Sequence, residues 1–486
     1  MTSAQERPST AAAADGGETL RDEAYARRLL PTVLLAVIAF STSMTIVSAA
    51  LPTIAEDLGS TTGTLSWSVT GLFLAMAIGT PVMGKLGDTY GHRRVLLVGA
   101  TVLTLGTAAC GLAWDAASFI GARMVVGAGI AATMPTSNAL IMQAFPPERR
   151  SVAMGWYQMA MTGAPVVGLV IGGPMIEAWG WRTVFAALTP LALTGLVLSF
   201  IVIRPSVRGP RVPIDWLGAG ALGAATLTFL LGLERMKVGG PADPIGALLF
   251  LATVLCLVLF VRTERRSERP LLRLDYFGRR NFTGPLLANS LAQFAYMGGF
   301  LISPLLLEEV FGLGVAAVAL VLLFRPGTFS LTSPVGGRLA ARLGDRPVVV
   351  AASVSMVVSM VVFAASSWVE SLVVVVVGLV LSGLAMGLGA PVYVTAVANA
   401  VDSSDFGVAG GMSTTVMNIG SLTGIQAMFV VLGDSRSPGA FAVVYLFGAA
   451  VAAIGVLGGL MMSTSDPRAG WGSRRTAAPA AVASTS

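Results

Sequence analysis

A chain of 486 residues that is 55% hydrophobic and only 12% charged is too apolar for a soluble enzyme, since soluble domains carry charge on about a quarter of their residues. Its formal net charge of +6 is scattered between apolar runs and forms no continuous basic face, which argues against a nucleic-acid partner. Two cysteines, Cys110 and Cys256, and one histidine leave no disulfide framework and no His/Cys metal centre; no cofactor is expected.

Residues 1–28 are polar, mixed in charge and rich in Ala, Ser, Thr and Gly, and are expected as a disordered cytoplasmic tail. A cleaved leader is not expected, because Asp15, Glu18, Asp22 and Glu23 stand where a basic n-region would be. Apolar runs then recur from Leu29 to Met462, each near the roughly 20 residues that a helix needs to cross ~30 Å of hydrocarbon. In lipid only helices and closed barrels satisfy their backbone, and the dyad alternation of barrel strands is missing. The fold class is therefore an all-α polytopic membrane protein. Candidate spans fall near 29–51, 65–86, 93–113, 116–145, 151–177, 183–203, 214–233, 244–262, 283–307, 314–337, 346–366, 371–399, 406–432 and 440–462. A second polar tail, 464–486, closes the chain.

Lys and Arg divide unevenly between the loops. With the N-terminus inside, the inner segments hold Lys85, Arg93, Arg94, Arg149, Arg150, Arg204 and the dense run 262–280. The outer loops keep only Arg182, Arg235, Lys237 and Arg436. This asymmetry places both termini in the cytoplasm and the protein in the plasma membrane.

The segment PVMGKLGDTYGHRR at Pro81–Arg94 reappears as PVGGRLAARLGDRP at Pro334–Pro347, matching Pro81 to Pro334, Gly84 to Gly337, Gly91 to Gly344 and Arg93 to Arg346. Gly127, Pro135, Ala153 and Gly155 match Gly383, Pro391, Ala409 and Gly411 at nearly the same offset. Two six-helix bundles of like orientation, 29–204 and 281–463, with two additional helices and a linker at 205–280, account for the shift. Parallel membrane repeats of this kind build transporters that rock about a midplane site.

GKLGDTYGHRR (Gly84–Arg94) resembles the loop signature G-x-L-a-D-r-x-G-r-r between the second and third helices of the major facilitator superfamily. GARMVVGAG (Gly121–Gly129) resembles its fourth-helix motif with a membrane arginine, and MTGAPVVGLVIGG (Met161–Gly173) its antiporter motif in the fifth helix. TIVSAALP (Thr45–Pro52) and WRTVF (Trp181–Phe185) resemble the fourteen-helix drug:proton antiporter branch. Where that branch usually carries an acid in the first helix this chain has Ser43, and Ser48 replaces the usual asparagine. No Asp or Glu stands in the middle of any span, so proton coupling has no evident carrier.

GTPVMGKL (Gly79–Leu86) and GAGIAA (Gly127–Ala132) mimic nucleotide-binding loops. A phosphate loop follows a strand and ends in Ser or Thr, whereas Leu86 holds that place between two spans. The positive expectation, carried by the resemblance, is a conformational latch of Gly84, Asp88, Gly91, Arg93 and Arg94. Its alternative is simple anchorage of the loop to an anionic leaflet. The second copy has Ala341 in place of the acid, so the latch is expected on one side only. Gly163, Pro165, Gly168, Gly172 and Gly173 mark a flexing helix, or else a close-packed interface. Charges inside spans are costly and default to function, which singles out Arg123 and Arg325. With Gln158, Asn289, Gln293, Tyr296 and Asn418 they are candidates for a substrate or coupling cavity; each polar group could equally be a satisfied interhelical bond.

These features imply no enzyme. They point to a secondary transporter that exports small amphipathic compounds by alternating access with proton antiport, working as a monomer. An uptake or exchange carrier for an organic anion is the alternative within transport. A receptor or scaffold with a degenerate transporter fold is the alternative outside it.

Overall fold

The computed structural model describes residues 10–65, 67–205, 216–239, 243–266, 274–402, 405–433 and 435–463. The expected tail 464–486 and parts of the 205–280 linker lie outside them.

The first bundle holds α1 (Thr10–Asp57), the short α2 (Thr62–Leu65), α3 (Trp67–Tyr90), α4 (His92–Gly111), α5 (Ala116–Ala144), α6 (Pro147–Trp179) and α7 (Trp181–Val202). Next come α8 (Trp216–Gly239), α9 (Pro244–Arg266) and a 3-10 turn at Leu274–Gly278. The second bundle holds α10 (Arg280–Glu309), α11 (Val315–Leu322), α12 (Phe324–Leu343), α13 (Asp345–Val369), α14 (Leu372–Asn399), α15 (Phe406–Leu432) and α16 (Pro438–Met461). Among the described residues, 13 helical stretches are long and apolar enough to cross a membrane. The fourteenth expected span corresponds to α8, described over Trp216–Gly239 with an apolar stretch at Gly220–Phe229.

The segment expected as a disordered N-terminal tail is helical from Thr10 onward. Ala, Glu, Leu and Arg fill it, and these are strong helix formers. Glu23 also reaches Arg149 of α6 at 3.1 Å.

Turn chemistry sets the helix boundaries. Gly91 alone separates α3 from α4 and Gly344 alone separates α12 from α13, with φ of 97° and 88°. Only glycine adopts such angles without strain, so the matched glycines mark the same sharp reversal in each half. Asp115 caps α5 by accepting from the Ser118 amide, and Ser118 returns the bond.

The second bundle repeats the contacts of the first. As α3 packs on α5, α4 on α7 and α1 on α6, so α12 packs on α14, α13 on α16 and α10 on α15. Each bundle has its own core. Phe119, Trp181 and Phe185 meet edge to face in one; Phe363 stacks on Tyr445 in the other, ring centroids 4.9 Å apart. The α8–α9 hairpin packs on α3 and joins a small core with Val408, Ala409 and Met412 of α15. It therefore lies along the seam between the bundles.

The near face is the side where α1 begins and α16 ends, and the far face is the other. The bundles meet through α3 with α15 and through α6 with α12 and α14. Gly155 of α6 lies against Ser333 and Pro334 of α12, and its repeat partner Gly411 of α15 lies against Thr80 and Pro81 of α3.

Candidate functional site

On the near face, Asp88 ends its helix pointing across the seam. One carboxylate oxygen accepts from the Gly407 amide at 2.9 Å and the other from the Val408 amide at 2.9 Å. These are the first-turn amides of α15, which have no partner within their own helix, and the positive end of the helix dipole favours an anion there. The close approach depends on Gly84: a Cβ on it would stand 2.5 Å from the Gly407 carbonyl oxygen. His92, four residues on from Asp88 across the Gly91 reversal, brings Nε2 to 3.1 Å of the same carboxylate and is buried.

The other members of the expected latch have different partners. Arg93 donates to the Phe200 carbonyl at 2.8 Å and lies 5.5 Å from the Phe200 ring centroid, binding α4 to α7 within one bundle. Arg94 is exposed. His92 is not among the latch residues expected from the sequence, although its four-residue spacing from Asp88 was the available signal. Arg150 was missed as well. It donates to Asn399 at 2.8 Å and stacks 5.0 Å from the ring of Phe406, the first residue of α15. Beside it Ser151 shares a hydrogen bond of 3.0 Å with Thr395. Nothing in their local sequence marked these pairs, since the partners are more than 200 residues apart.

The matched position in the second half, Ala341, offers no carboxylate. There Gly337 lies against the Ser151–Val152 backbone of α6. Charge therefore enters this seam through Asp88 on one side and through Arg150 on the other.

A linker turn buttresses the α15 end. Tyr276 donates to Asp405 at 2.6 Å and to Asp402 at 3.2 Å, and Arg279 donates to the Ala400 carbonyl at 3.0 Å. Burial and the two carboxylates push the Tyr276 phenol upward, so it stays a donor. On the far face, Asp57 accepts from Arg182 and from Trp181 Nε1. Those bonds, that of Arg182 first, hold its carboxyl below the ordinary aspartate range.

Two arginines lie inside the bundles. Arg123 of α5 is buried and donates to Ser43 of α1 at 3.2 Å; the Ser48 side chain lies outside the described residues. Arg325 of α12 is fully buried, donates to the Tyr296 carbonyl of α10, and stands 3.9 Å from the Tyr296 ring centroid. Asn289, Gln293 and Tyr296 recur at helical spacing on α10 and are all buried. Gln158 and Asn418 are half-buried on α6 and α15.

The helix α6 carries Pro165 and Pro174 in its interior. Ser330 of α12 donates to the Met159 carbonyl at 3.0 Å, and Thr42 of α1 donates to the Ala164 carbonyl at 3.3 Å. Gly163, Gly168 and Gly172 line a cavity of about 600 Å³ that Thr42, Trp156 and Ser330 also border. Gly173 faces open space. Arg123, Gln158, Asn289, Gln293, Tyr296, Arg325 and Asn418 do not line that cavity.

Comparison with known proteins decides the family. The model of the Major Facilitator Superfamily matches residues 33–425, and matches again at 286–485. The chain belongs to the major facilitator superfamily. The second match lies in the C-terminal half of the chain. A relative from Streptomyces glaucescens, the tetracenomycin C resistance and export protein, is 29% identical over 83% of this chain and 76% of its own. The multidrug resistance protein Stp of Mycobacterium tuberculosis is 30% identical over 80% of this chain and 72% of its own. Among solved structures, the human organic anion transporter MFSD10 superposes with a TM-score of 0.65 at 15% identity, covering 90% of this chain and 99% of that one. That likeness is one of fold.

Proposed function

We propose that this superfamily member is a secondary exporter of small amphipathic compounds, working as a monomer in the plasma membrane with its near face in the cytoplasm. The Asp88 bonds to the α15 amides carry the proposal. Among the described residues they join the two bundles through a charged contact on the near face, so they can hold that face shut in one state and release it in the other. Charge-assisted bonds of this kind contribute about 1.5–3 kcal/mol, enough to bias a two-state equilibrium by one to two orders of magnitude. The relatives' names, resistance and export, support the direction of transport, and the basic near-face loops support its orientation. Proton entry is proposed as the driving force.

Everted membrane vesicles carrying the protein test this directly. Addition of a transported compound from a panel of amphipathic antibiotics and dyes should partly collapse an imposed pH gradient. Vesicles carrying Asp88→Asn, inserted at the native level, should hold it. Export that ignores the gradient would remove proton coupling from the proposal, and accumulation only in right-side-out vesicles would reverse its direction.

A further inference from the structure

Among the described residues, Arg325 is a buried charge without a countercharge. It is fully buried, yet only its Nη2 has an acceptor, the Tyr296 carbonyl; Nε and Nη1 have none. Among the described residues no carboxylate pairs with it, and the acids on the neighbouring α10, Glu308 and Glu309, are exposed at the far end of that helix. The rings of Tyr296 and Phe300, with centroids 3.9 and 5.6 Å away, face the guanidinium. Cation–π contacts supply about 2 kcal/mol when desolvated, less than the several kcal/mol needed to strip a guanidinium of water. The fold keeps a charge that its own groups do not neutralise.

Two features of the surrounding helices bear on the site. One turn before Tyr296 on α10, the buried Gln293 has an amide oxygen without a partner. Just before Arg325 the helix is interrupted at Leu323, between α11 and α12. Pro326 has no N–H to give the Leu322 carbonyl, and such a lost bond is a ready hinge.

We propose that Arg325 anchors a carboxylate, or another singly charged anionic group, on the transported compound. Tyr296, Phe300 and Phe329 form the aromatic wall for the compound's apolar body; the Phe329 ring stands 6.0 Å from that of Tyr296. The inference rests on the exporter proposal and adds the charge of the cargo. Ionised acceptors make the stronger bonds to guanidinium, whereas a cation brought to this site would meet an uncompensated like charge at intermediate dielectric.

Three matched probes test it: naphthalene-1-acetate, its methyl ester, and (1-naphthylmethyl)trimethylammonium. Each is titrated against the full-length protein in detergent at neutral pH, with thermal stabilisation as the readout. The carboxylate should bind about tenfold or more tightly than either analogue. Arg325→Gln should abolish that preference, and Arg325→Lys, which keeps the charge, should retain part of it. Equal or tighter binding of the ammonium probe to the native protein overturns the proposal. So does a carboxylate preference that survives in Arg325→Gln, or stabilisation by none of the three. Should Arg325→Gln not fold, the order of the probes on the native protein decides alone. Counterflow of the carboxylate in proteoliposomes is a separate readout: binding without exchange would remove the exporter proposal and leave the anion site standing.

Discussion

Ser43 of α1 and Arg123 of α5 meet at 3.2 Å, hydroxyl to guanidinium, and both are buried. The position that departs from the resembling branch is thus the one that touches the membrane arginine. The Ser43 hydroxyl accepts from Arg123 but carries no charge to neutralise it, and Arg123 Nε has no acceptor. Opposite charges 4 Å apart attract by about 4 kcal/mol at an effective dielectric near 20, an interaction this pair forgoes.

Ser43→Asp should restore it. The variant is expected to melt at a higher temperature than the native protein and to export cationic dyes faster than the native protein does. Competition between a cationic and a neutral dye of similar shape measures the second effect. A double-mutant cycle with Arg123→Gln measures the first and should return a coupling of more than about 1 kcal/mol. Coupling near zero would mean that the two side chains do not share a charge.

Asp88→Asn keeps the shape of the latch and removes its charge. One amide of α15 loses its acceptor, and the contact should weaken by about 1.5–3 kcal/mol. Transport should fall about tenfold or more at a normal level of inserted protein. A cysteine placed near Gly407 should also react faster with a membrane-impermeant maleimide from the near face. Unchanged labelling with reduced transport would separate Asp88 from the closing contact.

Gly168 and Gly173 test helix α6. Gly168 is buried and borders the cavity of about 600 Å³, whereas a side chain on Gly173 would meet nothing within 4 Å. Gly168→Leu should therefore place its side chain in that cavity and slow exchange about tenfold, while Gly173→Ala should leave it unchanged. A native exchange rate in Gly168→Leu would make α6 a static packing element.

Asp57 gives a pH dependence with a definite sign. Its carboxyl is held low in the folded protein by Arg182 and Trp181. The unfolded chain therefore takes up its proton first as pH falls. The stability contributed is present above the ordinary aspartate range and is lost as pH falls through the depressed folded value. Thermal melting of the native protein should drop across that acid window, and Asp57→Asn should flatten the drop. An equally steep acid limb in the variant would assign it to other carboxylates.

The sequence by itself determined the architecture. Apolar runs of membrane length leave a helix as the only way to satisfy the backbone, so the spans from Leu29 to Met462 follow from solvation alone. The repeat was equally legible, because Gly91 and Gly344 are glycines that a one-residue reversal requires at matched places. Charge asymmetry in the loops set the proposed orientation for the same local reason. Thr10–Arg28 escaped this logic: its polar composition suggested a tail, although its helix formers continue α1.

Only the tertiary structure decided which charges meet. Asp88 could have faced its neighbouring arginines, and its spacing from Arg93 favours that reading as much as any other. The packing of α3 on α15 instead puts it on the Gly407 and Val408 amides, while Arg93 turns to Phe200. The pairing of Arg150 with Asn399, the contact of Arg123 with Ser43 and the isolation of Arg325 above Tyr296 have the same cause. Their partners come from distant helices, and side-chain periodicity carries no information about which helix will lie alongside. Burial makes those choices consequential: in lipid, a polar group that the packing leaves alone finds no water to replace the missing partner.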